Sequence, residues 1–280
     1  MKLRIVKKSL VALFGLIAIL YLAQLLMNTG SEIAMTNGDL NTARHGTIAV
    51  FGATGTIGDG LLKAAMNDPD VDRIHVVTRR PSPRIEEGVD SGKVTMTIHK
   101  DYLDYAAIRN MLAEVKAVYW AIGLSAVGLD EGTYREIHAE YPLRFVAEWL
   151  SVRDGGDASF HYISGGGANE GSRMMWAREK ARAENELAKL AQDTNMRVVS
   201  YRPAFVTPTE AEATVWHSVL HAILAPIEYA VRAESIGQAM LEVSARGRQL
   251  ENGTILENKD IVAFSRAYEE RRGTRTANRL

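Results

Sequence analysis

The 280-residue chain contains no cysteine. Disulfides, a thiolate nucleophile and cysteine-ligated zinc or iron–sulfur centres are therefore excluded. Proline is scarce, at seven residues, and there is neither an internal repeat nor a low-complexity tract. An overall charge is also missing, since 33 basic residues stand against 34 acidic ones. That balance conceals a skew. Lys2, Arg4, Lys7 and Lys8 precede residue 30 without an acid, and Arg271, Arg272, Arg275 and Arg279 close the chain without one. Setting those eight aside leaves 25 basic against 34 acidic groups in residues 31–270, a body charge of −9. A surface of that sign repels phosphate backbones, so nucleic acid is not an expected partner. The hydrophobic fraction of 46% with 24% charged residues excludes a disordered or fibrous chain and fits one large domain.

Long apolar runs are missing too, with one exception. Residues 10–27 (LVALFGLIAILYLAQLLM) are interrupted by a single strongly polar residue, Gln24. Eighteen residues at about 1.5 Å each span roughly 27 Å, close to a bilayer's hydrocarbon core. The run is longer than the apolar core of a cleaved signal, and its exit offers no small-residue cleavage pattern. Residues 1–30 therefore read as an N-terminal membrane anchor, with the lipid bilayer as partner through residues 10–27. Four cations precede the run and the next one is Arg44. That asymmetry keeps the N-terminus cytosolic and sends the body across a membrane, of the endoplasmic reticulum or another organelle. Residues 31–45 are polar and read as a linker.

Beyond it, apolar runs alternate with helical stretches. Strands are expected at 47–51, 73–78, 94–99, 117–122, 160–164 and 197–202, with helices at 61–66, 105–114, 133–152 and 174–192. This is the pattern of βαβ units: an α/β, doubly wound parallel-sheet Rossmann fold in a three-layer sandwich. It occupies residues 46–265, within which 203–265 form a small substrate-side cap. In the cap a helix is expected at 235–245, a strand near 254–256, and an apolar helix within 215–230 that faces inward. Residues 266–280 form a basic tail, expected to be disordered.

Directly after the first strand stands Gly52-Ala53-Thr54-Gly55-Thr56-Ile57-Gly58. Glycines at this spacing, between a buried strand and a helix, let the backbone approach a pyrophosphate whose charge then meets the helix N-terminus. The second strand ends in Thr78-Arg79-Arg80, without the carboxylate that would hold a ribose 2′-hydroxyl. Arginine there accommodates a 2′-phosphate, so NADP(H) is expected in preference to NAD(H).

Together with Arg202-Pro203, these motifs make the chain resemble the atypical short-chain dehydrogenases/reductases. The branch it resembles is that of the Tat-interacting oxidoreductase-like proteins, related to the NmrA-like proteins. The likeness runs over residues 46–245. It implies that Gly52, Thr54, Gly55, Thr56, Ile57 and Gly58 follow the pyrophosphate, and that Asp101 and Tyr102 border the adenine. It further implies that Ala121, Ile122 and Gly123 line the ribose and nicotinamide side, near Pro203. The family's catalytic serine matches Ser164, and the lysine of its Tyr-x-x-x-Lys pair matches Lys180. Where that pair has its proton-donating tyrosine, this chain has Trp176, whose indole offers a hydrogen bond but no acid. Tyr162, Tyr201 and Tyr134 are the tyrosines left to reach the site in three dimensions.

Other signals point elsewhere. His217 and His221 have a metal-pairing spacing but no third ligand, and read as ordinary histidines, so no metal is expected. Asn252-Gly253-Thr254 is a glycosylation sequon that reads better as a hairpin turn. Two function classes follow: a membrane-anchored NADP(H)-dependent oxidoreductase of a small carbonyl or hydroxyl compound with a degenerate site, or a non-catalytic NADP(H)-binding regulator or assembly factor.

Overall fold

The computed structural model describes Gly15, residues 45–153 and residues 155–277. Strand and helix alternate as β1 (Gly46–Phe51), α1 (Thr56–Asn67), β2 (Val71–Thr78), α2 (Pro83–Asp90), β3 (Val94–Ile98), α3 (Arg109–Leu112) and β4 (Val115–Trp120). Then come α4 (Glu131–Arg135), α5 (Tyr141–Val152), β5 (Ala158–Ile163), α6 (Met175–Leu190) and β6 (Met196–Arg202). The chain finishes with β7 (Phe205–Thr207), α7 (Val215–Leu224), β8 (Ala230–Arg232), α8 (Ala233–Ala245), β9 (Thr254–Glu257) and α9 (Asn258–Ala277). Seven strands form one sheet in the order β3-β2-β1-β4-β5-β6-β9, every pair parallel. The order reverses between β1 and β4, which opens a crevice beyond the carboxyl ends of the strands.

Strand alternation sorts side chains onto two buried faces. Ile48 and Val50 of β1 join Leu61, Ile74, Met240 and Phe264 on one face, beneath α1, α8 and α9. Ala49 and Phe51 join Trp120, Phe145, Trp149 and Phe160 on the other, beneath α5 and α6. Phe51 stacks on Trp120 at 4.7 Å and meets Phe145 edge-on at 4.6 Å. Each such pair adds about 0.5–1.5 kcal/mol beyond area burial.

The helix expected over 133–152 is continuous but slips its hydrogen-bond register in the middle. Glu136–Glu140 form a π-helical turn between α4 and α5, with Tyr141 N–H donating to Glu136 O. Pro142 is the cause: it has no N–H to give His138 O, so the ladder slips, and Tyr162 Oη donates to that carbonyl instead at 2.7 Å. The helix expected over 105–114 shrinks to the single turn of α3 after a 3-10 turn.

The cap is smaller than expected. Only β7, α7 and β8 leave the sandwich: α8 packs on α1, and β9 extends the sheet. Nor does α7 face inward, for none of its residues is buried and Trp216 is 74% exposed. It lies on a two-stranded ribbon, which offers a ten-residue helix too little apolar surface to cover it. Asn252-Gly253 makes a turn but no hairpin, because β9 pairs parallel with β6. The basic tail is helical to Ala277. Arg271 is drawn in by the fully buried Glu242 at 2.7 Å, and Arg272 stands 3.6 Å from buried Asp68; buried carboxylates demand such partners, and that demand outweighs tail composition. Among the described residues no helix is long and apolar enough to cross a membrane. The anchor expected at residues 10–27 and its linker lie, except for Gly15 and His45, outside the described residues.

Candidate active site

The crevice is built first from the glycine loop. Gly52 has φ +80°, and a Cβ there would stand 2.6 Å from the backbone of Ala121 at the end of β4. A Cβ on Gly58 would stand 1.9 Å from Gly52 O. These two glycines are therefore demanded by the protein's own packing. Gly55 is different: its Cβ would meet nothing nearer than Gly52 O at 3.5 Å. It faces the open cleft at the start of α1, where no side chain caps the helix. A loop that leaves this space free, ahead of uncapped N–H groups, fits a pyrophosphate. Thr56 Oγ1 donates to Glu212 Oε2 at 2.8 Å across the same helix end.

The cleft has a volume of about 580 Å³. Its near wall is Gly55, Thr56 and Ile57; its floor is Ala121, Ile122 and Gly123 after β4, and Ser164 with its glycines after β5. Trp176 and Lys180 project from α6, one turn apart and on one face, as four-residue spacing requires. Lys180 is 6% exposed. Its Nζ donates to Ile163 O at 2.7 Å and lies 4.8 Å from the Tyr162 ring centre. Burial brings this ammonium down to about 7, against the opposing pull of Glu184. Ser164 N–H donates to Tyr201 O, while its buried Oγ has no partner among the described residues. The Trp176 indole lies along the glycines that follow: a Cβ on Gly165 would be 3.6 Å from its edge.

Two further residues close the wall. Tyr134 of α4 and His138 of the π turn both line the cleft, their rings stacked at 4.0 Å. His138 Nε2 meets the Leu124 backbone, and its buried Nδ1 has no partner among the described residues. Burial, and then the charge of Lys180, bring His138 down to about 3, so the imidazole is neutral.

No family model matches the chain. It is 25% identical over 169 residues to a protein of Aspergillus fumigatus named "fmp52, mitochondrial", covering 59% of this chain and 69% of that one. A protein of the same name from Emericella nidulans is 23% identical over 229 residues, 78% of this chain and 94% of its own. Among solved structures, a 3-oxoacyl-[acyl-carrier protein] reductase from Brucella melitensis superposes with a TM-score of 0.59 at 16% identity, covering 79% of this chain and 98% of that one. A short-chain dehydrogenase/reductase of Saccharomyces cerevisiae gives 0.58 at 12% identity, over 78% and 98% of the two chains. The chain has the short-chain dehydrogenase/reductase fold.

Within that fold, Gly55, Thr56, Ile57, Ala121, Ile122, Gly123, Ser164, Trp176 and Lys180 come together in one cleft. Thr54 borders an adjoining hollow of about 410 Å³ with Ser82, Arg84 and Glu210. Gly52 and Gly58 shape the loop from behind. Arg79 and Arg80 are exposed just past β2, where Thr78 Oγ1 ties down the Arg80 backbone. Asp101 is exposed and caps Leu103 N–H. Tyr102 lies outside the cleft lining: it is 6% exposed and packs against His99, Trp120 and Tyr141. Pro203 is buried behind the serine loop, its carbonyl accepting Gly166 N–H at 3.1 Å. His217 and His221 are bonded to Thr214 and Thr207, and no group of three metal-ligating side chains occurs among the described residues. Sequence reasoning missed His138 entirely. Its signal was the four-residue spacing from Tyr134, ahead of a proline inside the helical run.

Proposed function

We propose that the chain is a membrane-anchored oxidoreductase that binds NADP(H) in preference to NAD(H) and acts on a small carbonyl or hydroxyl compound. The observation that carries this reading is the convergence of Ser164, Lys180 and the open glycine Gly55 on one cleft at the carboxyl end of the sheet. Gly52, Thr54, Gly55, Thr56, Ile57 and Gly58 serve the pyrophosphate, and Arg79 with Arg80 the 2′-phosphate. Ala121, Ile122 and Gly123 border the nicotinamide side, and Lys180 holds the ribose. The bound cofactor supplies or accepts the hydride. Ser164 then directs its free hydroxyl at the substrate oxygen, where a donor is worth most in the transition state. Trp176 offers a flat apolar wall that excludes water from the reacting end.

A second reading, a non-catalytic NADP(H)-binding regulator or assembly factor, draws support from Trp176 standing where an acid is needed. NADPH binding followed by fluorescence, beside NADPH consumption with a panel of aldehydes and quinones, separates the two. Binding with turnover is the expected result; binding without turnover selects the regulator. The apolar length of residues 10–27 supports anchoring, and the "mitochondrial" in the relatives' names supports an organelle. Carbonate extraction of the full-length protein tests the anchor: recovery in the soluble fraction rejects it.

A further inference from the structure

We infer that Tyr134 is the proton donor of this cleft, supplying from α4 the acid that is missing where Trp176 stands on α6. The inference rests on the oxidoreductase reading above. Of the three tyrosines near the site, two are spoken for. Tyr162 Oη donates to His138 O at 2.7 Å, and Tyr201 Oη is bonded to His161 Nδ1 at 2.8 Å, both wholly buried. Tyr134 alone of the three lines the cleft, and its hydroxyl makes no hydrogen bond among the described residues.

Its position is set by contacts that do not depend on a ligand. Arg135, the next residue, grips Glu179 through two hydrogen bonds of 2.9 Å, and Glu179 directly precedes Lys180. Arg178 reaches back to Glu131 at 2.7 Å. The helix that carries the phenol is thereby clamped to the helix that carries Lys180 and Trp176. Bidentate arginine–carboxylate pairs fix geometry better than single contacts. The ring itself rests on His138, which is held at the Leu124 backbone and pressed close to Gly123: a Cβ on that glycine would come within 2.7 Å of the imidazole. The slipped turn matters here, because π turns frequently mark functional sites. Burial pushes the phenol up to about 12, which makes it a weaker acid than a free tyrosine, so its proton passes only to an oxygen that is becoming an alkoxide.

The carbonyl carbon of the substrate accepts a hydride from a dihydronicotinamide, and the C=O π pair moves to oxygen. The Tyr134 O–H bond breaks, its proton joins that oxygen to give the alcohol, and the phenolate recovers a proton from water at the cleft mouth. Ser164 holds the same oxygen through its hydroxyl.

The decisive variant is Tyr134→Phe, which keeps the ring and its stacking. A kcat/KM for aldehyde reduction lower by about 10²–10⁴-fold, with the NADPH Kd within twofold of wild type, is expected. Unchanged turnover in Tyr134→Phe overturns the inference while leaving the reductase reading intact; a wild type inactive on every carbonyl overturns both. A second readout needs no turnover. In chains labelled with Cζ-13C tyrosine, the resonance absent from Tyr134→Phe should titrate at lower pH when NADP+ saturates the site, since the nicotinamide cation would share this cleft. A titration that NADP+ does not move places Tyr134 away from the reacting end and overturns the inference.

Discussion

The two walls of the cleft are made in opposite ways. The near wall, from β1 through the glycine loop into α1, is one continuous stretch held by close backbone packing. The far wall is assembled from α4 and its π turn, the end of β5, and α6, segments distant in sequence that are joined by ion pairs and buried polar contacts. A wall made of one stretch writes its geometry into local residue types. A wall made of three writes it into pairings that only folding creates.

Substitutions at the two walls should therefore fail differently. The largest effect is expected at Gly58: Gly58→Ala drives a Cβ into the Gly52 carbonyl and should cost about 3 kcal/mol or more in denaturant unfolding. Gly55→Ala, in the same loop, should leave stability within about 1 kcal/mol while weakening NADPH binding, because its Cβ would enter the open cleft where the pyrophosphate is proposed to lie. Equal losses of stability at the two glycines would break the distinction.

On the far wall, Lys180 makes the fold sensitive to pH. Its folded pKa of about 7 lies below the ordinary 10.5, so between those values the unfolded chain binds the proton and the folded chain does not. Stability should rise with pH across that window, by on the order of a few kcal/mol, and Lys180→Met should flatten the rise. Thermal unfolding from pH 6.5 to 10 reads it directly. Arg135→Ala leaves Glu179 without its fork and should lower the thermal unfolding temperature. It should also lower kcat/KM, because the clamp between α4 and α6 opens.

The proposed cofactor contacts form a third tier. Replacing Arg79 and Arg80 together by Ala should weaken NADPH about ten- to a hundredfold and leave NADH nearly untouched, the loss of about 1.5–3 kcal/mol expected for a charged hydrogen bond. The smallest change is expected at Glu212, whose carboxylate holds Thr56 at the start of α1. Glu212→Gln removes a negative charge from the end of the helix that a phosphate would approach. NADPH should then bind about two- to fivefold more tightly, in line with 0.3–1 kcal/mol for a charge at a helix terminus.

Most strands were legible because a doubly wound sheet buries both faces, which leaves unbroken apolar runs such as AVYW and FHYI. The glycine loop was legible because Gly52 takes a positive φ and Gly58 must clear the Gly52 carbonyl, while Gly55 leaves the cleft open. Other parts were hidden by competing local signals. The apolar run of α7 resembled a buried helix but lies outward on a small ribbon. The C-terminal arginines resembled a loose tail because Glu242 and Asp68, their buried partners, lie far back in the sequence. The clean helical pattern of 133–152 concealed a π turn, although Pro142 was in plain view.

The serine at the end of β5 and the lysine one turn after Trp176 were picked out by the family resemblance, whereas composition and short-range pattern were enough to determine the fold class and the place of the glycine loop. These depend on backbone conformation and on side-chain spacing along a single element, both of which are local properties. Which tyrosine faces the cleft depended instead on where a slipped helical turn, a buried carbonyl and a salt-bridged pair of helices come to rest. Tyr162 lies closer in sequence to Ser164 than Tyr134 does, yet its hydroxyl is held by a carbonyl that Pro142 left free. Only the packing of three segments against one another could make that choice.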